Sequence, residues 1–311
     1  MLEVKKINKS FGDAHILKDV SFSVERGKAY GLLGRNGSGK TTTIRIIMDI
    51  FEPDSGEVII DGVKNTKSKL NIGYMPEERG LYPKRSIADQ MTYFGELRGL
   101  TSHMAKQRSK ELLIKLGAEE YLPRQLDTLS KGNQQKIQLA IALINDPDII
   151  ILDEPFSGLD PINAKLLKDL VLEMISKNKM VLFSSHQMAS VEEFCDDVCI
   201  INRGEIVLEG NLDQIKHGYP RNRILIEPLE SEHKNMDDFL KQIKENTNLI
   251  DQIELKRNGF EVQLKSEQDK TPLLQKIIKS DLEIDNFSVL EPSLEEIFVE
   301  KAGENKDEQD A

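Results

Sequence analysis

The sequence lacks the features of a nucleic-acid-binding or membrane-spanning protein. Its 42 Lys and Arg are outnumbered by 53 Asp and Glu, so the formal net charge is −11. Basic surface provides most of the affinity for nucleic acid, and we therefore expect no nucleic-acid partner. The longest apolar run, residues 139–144, is far shorter than the ~20 residues of a spanning helix. Residues 1–6 also lack the apolar core of a signal peptide, so we expect a cytoplasmic chain.

Cysteine is scarce. The 311 residues include only two cysteines, Cys195 and Cys199. A redox or metal role would need more ligands nearby. We expect both thiols to pack as small apolar groups between a helix and a strand.

The chain contains alternating strand and helix patterns over most of its length. The aliphatic runs that predict strands are 149–152, 180–183 and 198–201, and helical patterns lie near 162–177 and 188–195. This alternation predicts an α/β fold with a mostly parallel sheet covered by helices. Residues 2–33 read as further short strands, and residues 84–128 carry helical periodicity.

A second, smaller unit is predicted to begin near Arg221 and to extend to residue 302. Its strand and helix patterns follow the order β-α-β-β-α-β, with an Asn258-Gly259 turn between the two central strands. This order is the ferredoxin-like arrangement. Residues 303–311 are polar and mainly acidic and are predicted to be disordered. The larger domain would then comprise residues 1–220.

Residues 34–41, Gly-Arg-Asn-Gly-Ser-Gly-Lys-Thr, match the phosphate-loop pattern G-x-x-x-x-G-K-[ST]. They lie between an apolar strand and a helix predicted over 41–51, which is the context that the pattern requires. Backbone N–H groups of such a loop surround phosphate oxygens, and the helix adds its positive end. We expect ATP here, with Lys40 at the β- and γ-phosphates and the Thr41 hydroxyl on Mg²⁺. The other expected nucleotide contacts are Asn36, Gly37, Ser38, Gly39 and Thr42.

Asp153 and Glu154 follow the aliphatic run 149–152 directly. Ligands of open α/β sheets bind at the carboxyl ends of the strands, so both carboxylates should lie beside the phosphate loop. We expect Asp153 to hold Mg²⁺ through water, because Mg²⁺ retains several waters in proteins. Glu154 would orient or deprotonate the attacking water.

Residues 129–135, Leu-Ser-Lys-Gly-Asn-Gln-Gln, resemble the L-S-G-G-Q signature of ABC transporter ATPases, with Lys131 in place of the first glycine. The resemblance covers roughly residues 2–215. It implies a P-loop NTPase domain with an antiparallel β subdomain and a helical subdomain at about 84–146. In that family the signature opens a helix and contacts the γ-phosphate bound to the opposite subunit. This implies nucleotide contacts for Ser130, Gly132 and Asn133.

Other residues match positions of the family in the same order. Asp160 corresponds to the D-loop that crosses between subunits, His186 to the histidine at the γ-phosphate, and Phe11 to an aromatic that stacks on adenine. Glu77 departs from the pattern, because the family usually has a glutamine there. A carboxylate can still ligate Mg²⁺ but adds negative charge, so we expect an altered Mg²⁺ dependence rather than lost activity.

The run 76–83, Pro-Glu-Glu-Arg-Gly-Leu-Tyr-Pro, and residues 292–298 resemble bacterial exporter ATPases of the sodium-extrusion type, which carry an extra C-terminal domain. The resemblance implies an ATP-hydrolysing subunit whose partners are a second ATP-binding subunit, as a homodimer, and a separate transmembrane permease. Such a chain would be peripheral on the cytoplasmic face of the membrane. The surface around residues 78–82 and the helical region would contact the permease.

Two other classes of protein use the same loop. A soluble ABC ATPase acting on ribosomes or DNA is disfavoured by the single phosphate loop, the absence of sustained heptads and the acidic charge. A GTPase or kinase is disfavoured because none of the Asn-Lys pairs at 8–9, 178–179 and 305–306 is followed by the Asp of N-K-x-D. The C-terminal unit has two open interpretations, a packing or dimer-supporting role and a regulatory ligand site.

Overall fold

The computed structural model describes residues 1–65, 71–78, 80–193, 195–280 and 282–307, the last six without side chains. The chain divides into two compact units, one of Met1–Leu212 with Phe298–Ala311 and one of Asp213–Ile297. The boundary predicted at Arg221 therefore falls inside the second unit. Within the described residues, no helix combines the length and the apolar character that crossing a membrane requires.

The first unit is built from short strands joined by helices. Its strands are β1 (Leu2–Phe11), β2 (Ala14–Val24), β3 (Ala29–Leu33), β4 (Ser55–Ile60), β5 (Val63–Lys64), β6 (Ile72–Met75), β7 (Ile149–Asp153), β8 (Met180–Ser185), β9 (Asp197–Asn202) and β10 (Glu205–Asn211). Its helices are α1 (Lys40–Ile47), α2 (Ile87–Leu97), α3 (Ser102–Lys115), α4 (Lys131–Ala142), α5 (Pro161–Ser176) and α6 (Met188–Glu192). Helices α2, α3 and α4 pack against one another within the region predicted to be helical.

A six-stranded sheet with the order β10-β9-β3-β8-β7-β6 forms the centre of this unit. Neighbouring strands are parallel from β9 to β6, and only β10 is antiparallel. Every residue of β3, β7 and β8 is buried. Burial of this kind explains their aliphatic composition, because a parallel sheet is covered on both faces. The predicted α/β fold with a mostly parallel sheet is confirmed.

A second sheet, with the order β2-β1-β4-β5, is antiparallel throughout. Its buried side chains, among them Leu2, Val20 and Val58, share one apolar cluster with Tyr30 of β3 and Ile44 of α1. The antiparallel β subdomain expected from the family resemblance is therefore present. This common core packs the antiparallel sheet against the strand and the helix that flank the phosphate loop.

Helix α1 is shorter than the 41–51 predicted. It ends at Ile47, and Asp49 takes the left-handed conformation with φ of 58°. The N–H of Asp49 donates to the Ile46 carbonyl at 3.0 Å, and that of Ile50 donates to the Arg45 carbonyl at 2.8 Å. These two bonds form a Schellman motif, which terminates a helix and normally has glycine at the left-handed position. Because aspartate and not glycine occupies this position, the end of the helix was not predicted from the sequence.

The second unit has the predicted order of elements. After α7 (Leu212–His217) come β11 (Arg223–Pro228), α8 (His233–Asn246), β12 (Ile250–Lys256), β13 (Gly259–Leu264), α9 (Lys270–Ile278) and β14 (Ile284–Leu290). Helix α10 (Leu294–Asp307) begins in this unit and belongs to the first unit from Phe298 onward. The sheet order is β12-β13-β11-β14 with antiparallel pairs, which confirms the ferredoxin-like arrangement. Helix α10 includes the first residues of the segment predicted to be disordered, and residues 308–311 lie outside the described residues.

Both cysteines are free and buried. Cys199 lies inside β9, and Cys195 lies just before that strand. Burial raises the pKa of each thiol well above its usual value, which disfavours the reactive thiolate. The expectation that both pack as small apolar groups is confirmed.

Candidate functional site

The carboxyl ends of four neighbouring parallel strands, β3, β8, β7 and β6, lie side by side in the central sheet. The register pairs Leu33 with Ser185 and Asp153 with Ser184. The phosphate loop follows Leu33, and Glu77 comes shortly after β6. The topology therefore brings the phosphate loop together with the chemistry-bearing residues that end the other three strands.

The lysine of the phosphate loop bonds to the backbone of the same loop. The Nζ of Lys40 donates to the carbonyl of Gly34 at 2.7 Å and to that of Arg35 at 3.2 Å. Only 6% of Lys40 is exposed. Burial lowers the pKa of Lys40, while the carboxylates of Glu154 and Asp153 act in the opposite direction. The ammonium group therefore lies in a pocket with little water, where a phosphate oxygen would be a strong additional partner.

The backbone of the loop permits close approach. Gly34 has φ of 154°, and a Cβ there would lie 2.3 Å from the Ile201 carbonyl oxygen. Gly37 has φ of 79°, in the region that favours glycine. The Ser38 hydroxyl is buried and has no hydrogen-bond partner in the described structure. An unpaired buried hydroxyl of this kind fits a ligand oxygen. The remaining predicted contacts lie in or next to the loop, with Asn36 exposed, Gly39 at the N-cap of α1, and Thr41 and Thr42 in its first turn.

The Asp153 carboxylate ends β7 and is 2% exposed. The Ser184 hydroxyl donates to its Oδ1, and the Tyr74 hydroxyl lies 3.5 Å from its Oδ2. Burial raises the pKa of Asp153, and the hydrogen bond from Ser184 opposes that change. Burial also raises the pKa of Tyr74 to about 12, so the phenol stays protonated. Asp153 is therefore a buried carboxylate close to the buried Lys40 ammonium.

Glu154 and His186, which directly follow β7 and β8, are in direct contact. The Nδ1 of His186 lies 2.7 Å from Oε1 of Glu154, and the Ser185 hydroxyl donates to Oε2 at 3.2 Å. Glu154 has φ of 50°, and its N–H donates to the Ser184 carbonyl at 3.0 Å. The acid and the histidine were predicted from the sequence, whereas both serines were missed. The sequence feature that could have identified them is a pair of polar residues at the end of an otherwise apolar buried strand.

The signature residues form a second cluster on α4 and α5. Ser130 caps α4 by accepting a hydrogen bond from the Asn133 N–H, and a Cβ on Gly132 would lie 3.1 Å from Nδ2 of Asn163. Asp160 caps α5 by accepting from the Asn163 N–H at 2.9 Å. In the described part of the chain, the side-chain hydrogen bonds of these capping residues remain within their own helix ends. The structure thus brings the signature and the D-loop residue together. Their side-chain hydrogen bonds do not involve the phosphate loop of the same chain in the described structure.

Glu77 and Phe11 are both exposed. Phe11 is 47% exposed and packs edge-on against Phe51, with 5.5 Å between ring centroids. The backbone around Glu77 is fixed by Gln138 of α4, whose Nε2 donates to the Pro76 carbonyl at 2.6 Å. The side chains of both predicted residues are therefore accessible to solvent.

Comparison with known proteins gives the family. The model of the ABC transporter family matches residues 17–157, and that of the C-terminal domain of DrrA1-3-like ATP-binding proteins matches residues 210–302. The ABC transporter ATP-binding protein YhaQ of Bacillus subtilis is 36% identical over 304 residues, which cover 97% of this chain and 99% of that protein. The chain belongs to the ABC transporter ATP-binding family.

Other ABC proteins agree with this assignment. The Nod factor export ATP-binding protein I of Cupriavidus pinatubonensis is 33% identical over 214 residues, which cover 68% of this chain and 66% of that protein. A dimeric bacterial ABC transporter cassette of known structure is 25% identical with a TM-score of 0.63, covering 68% of this chain and 99% of the other. The predicted fold, ATP binding and ATP-hydrolysing class are confirmed. None of these relatives is described as acting on ribosomes or DNA.

Proposed function

We propose that this ABC cassette is the motor of a membrane exporter and works as a homodimer bound to a separate permease. The observation that carries the proposal is the convergence of Lys40, Asp153, Glu154 and His186 on one edge of the parallel sheet. The similarity to a protein described as acting in Nod factor export favours export. Attachment to the permease would make the chain peripheral on the cytoplasmic face of the membrane.

In the proposed mechanism, Lys40 exchanges the carbonyl oxygens of Gly34 and Arg35 for the β- and γ-phosphate oxygens of ATP. The exchange is favourable because both carbonyls are neutral, whereas the phosphate oxygens are charged. Glu154 accepts the proton of the attacking water as general base. His186, already in contact with Glu154, orients that carboxylate and contacts the γ-phosphate. Phe11 stacks on the adenine.

The residues at the site fit Mg²⁺. The Thr41 hydroxyl and the carboxylates of Asp153 and Glu77 are oxygen ligands, which Mg²⁺ prefers. In the described part of the chain, no group of three or more His, Cys, Asp and Glu side chains could hold a metal by itself. The ion would therefore need nucleotide phosphates as additional ligands, and when bound it would neutralise phosphate charge. Glu77→Gln should change the Mg²⁺ dependence of hydrolysis, because the amide is neutral.

The homodimer is proposed because one chain contains both halves of a composite site. Ser130 accepts from the Asn133 N–H at the start of α4, Gly132 lies near Asn163 of α5, and Asp160 caps α5. The N-terminal end of α4 would bind the γ-phosphate held by a second copy, since a helix N-terminus attracts anions. Asp160 would cross the interface beside it. Two copies arranged head to tail would complete two identical sites.

An aromatic surface formed by Tyr82 and Tyr93 is the proposed contact for the permease. Tyr82 is 51% exposed and Tyr93 is 46% exposed, and their rings lie 6.3 Å apart. Arg85 and Asp89 line the same groove. Exposed aromatic clusters are uncommon on monomeric surfaces and often mark protein contacts. The surface includes part of the predicted 78–82 segment, of which residue 79 lies outside the described residues.

The proposal is tested with the full chain carrying Glu154→Gln. This change keeps the shape of the side chain but removes the base, so ATP binding should persist while turnover nearly stops. Glu119→Gln, on the exposed helical side, is the matched control and should hydrolyse ATP normally. Tagged protein purified from gently solubilised membranes should also carry a polytopic membrane protein in fixed ratio. Normal turnover of Glu154→Gln would refute the catalytic role, and recovery with ribosomes or DNA instead of a membrane protein would refute the transport role.

A further inference from the structure

Two consecutive serines end β8 inside the protein. Ser184 is fully buried and Ser185 is 3% exposed, although the preceding residues of the strand are all apolar. Burying a hydroxyl without a partner costs about 1–3 kcal/mol, so each hydroxyl needs a hydrogen bond here. Each hydroxyl donates to a carboxylate at the end of the neighbouring strand, β7. The Ser184 hydroxyl donates to Asp153, and the Ser185 hydroxyl donates to Glu154.

The Ser185 hydroxyl also has a backbone partner. The backbone N–H of Gln187 donates to the Ser185 Oγ at 3.0 Å. A hydroxyl can accept through its lone pairs and still donate its single proton. That proton is donated to the Glu154 Oε2, 3.2 Å away. The backbone turn after β8 orients the serine, and the serine in turn orients the acid.

Among the described residues, the Glu154 carboxylate, which is 5% exposed, has one hydrogen-bonding partner besides Ser185. Its backbone is in the left-handed region, where the N–H is bonded to the Ser184 carbonyl. Its second carboxylate oxygen contacts His186, whose side chain is 40% exposed. Without the Ser185 hydroxyl, the carboxylate would keep one partner on a half-exposed ring and could rotate about that single contact. A general base must be aimed at the proton that it removes, so this rotation would slow the reaction.

We propose that Ser184 and Ser185 are positioning residues that orient Asp153 and Glu154, one hydroxyl for each carboxylate. The parallel register of β7 and β8 places Asp153 opposite Ser184, which allows two consecutive serines to serve two consecutive acids. The inference rests on the proposed roles of Asp153 and Glu154. Neither serine touches the reacting atoms, and each acts through the acid that it holds.

The first test measures kcat and KM for ATP in the full chain. Ser185→Ala should lower kcat about tenfold, because a hydrogen bond to a charged group is lost, and should leave KM within about twofold. Ser185→Cys keeps the size of the side chain with a weak donor and should be slowed in the same way. Ser185→Thr keeps the hydroxyl and should restore most of the rate. Ser109→Ala, which also removes a buried hydroxyl but one bonded to the Ala105 carbonyl of its own helix, should behave as wild type.

The second test measures the affinity for ADP with and without Mg²⁺. Ser184→Ala should weaken binding in the presence of Mg²⁺ about tenfold, because Asp153 is no longer oriented toward the ion. Binding in the absence of Mg²⁺ should not change. Equal weakening under both conditions would show that Ser184 affects the nucleotide pocket as a whole and would overturn its proposed role.

The outcomes separate this inference from the proposed function. If Glu154→Gln stops turnover while Ser185→Ala hydrolyses ATP at the wild-type rate, the positioning role fails and the base role stands. If Ser185→Thr is slowed as strongly as Ser185→Ala, the size of the side chain and not its hydroxyl is what matters, which also overturns the inference. If Glu154→Gln itself turns over normally, the proposed function fails first.

Discussion

Replacing Gln138 by leucine should loosen the segment that carries Glu77. Gln138 lies on α4, eight residues after the signature serine at position 130, and is 5% exposed. Its Nε2 donates to the Pro76 carbonyl at 2.6 Å and to the Glu78 carbonyl at 3.3 Å. One buried amide group therefore holds the backbone on both sides of Glu77. Leucine has a similar volume but cannot donate either bond.

The expected loss of stability depends on whether each carbonyl can accept a hydrogen bond from water when Gln138 is replaced. Glu78 is exposed, so water can replace the longer of the two bonds at little cost. The Pro76 carbonyl makes the short bond and is only partly accessible. Leaving a buried carbonyl unpaired costs about 1–3 kcal/mol, while a volume-conserving apolar change adds little. We therefore expect the free energy of unfolding to fall by about 1–2 kcal/mol, toward the lower end of that range.

Urea denaturation followed by circular dichroism would measure this change. Gln107→Leu is the control, because that glutamine is exposed on α3 and its side chain bonds to Glu111 of the same helix. Hydrogen exchange should also become faster at the amides of residues 77 and 78, and unchanged in β7. A Gln138→Leu variant as stable as wild type, with normal exchange at these amides, would refute the idea that this side chain fixes the Glu77 segment.

Two further predictions concern the phosphate loop and the second unit. Gly34→Ala should destabilise the protein by about 3 kcal/mol or more, because the added methyl would lie 2.3 Å from a backbone carbonyl. Gly37→Ala has open space around it and should cost only about 1–2 kcal/mol for its positive φ, which thermal unfolding of both variants would compare. In the second unit, the hydrogen bond from Arg223 holds the pKa of Glu296 below its usual value. The interaction between the two side chains therefore stabilises the folded protein above about pH 4, and this stabilisation is lost as pH falls. Arg223→Met should therefore be less stable than wild type at pH 7, and urea unfolding at several pH values should show the difference shrinking below about pH 4.

The parts of the site that could be predicted from the sequence are those set by chain order alone. The phosphate loop needs a strand before it and a helix after it, and both appear in the pattern around residues 34–41. Asp153 and Glu154 follow an aliphatic strand, and parallel strands end at the same edge of a sheet. These inferences needed no knowledge of which strands are neighbours.

Features that depend on neighbouring strands were missed. Ser184 and Ser185 read as ordinary polar residues at a strand end until the register of β7 and β8 places carboxylates beside them. The contact of Tyr74 with Asp153 was also missed, because β6 is four residues long and has little pattern of its own. The strand β10 was also missed, since its apolar run between Glu205 and Glu209 is only three residues long and it lies at the edge of the sheet.

Helix α4 links the two clusters of the candidate site within one chain. Its first turn carries Gly132 and Asn133, and its buried face carries Gln135 and Gln138. Gln135 donates to the Pro155 carbonyl at 2.5 Å, directly after Glu154, and Gln138 donates to the carbonyls around Glu77. A displacement of this helix must therefore either break these buried bonds or move both loops with it. Breaking them leaves buried polar groups unpaired, so the loops carrying the two glutamates should follow the signature helix when it moves.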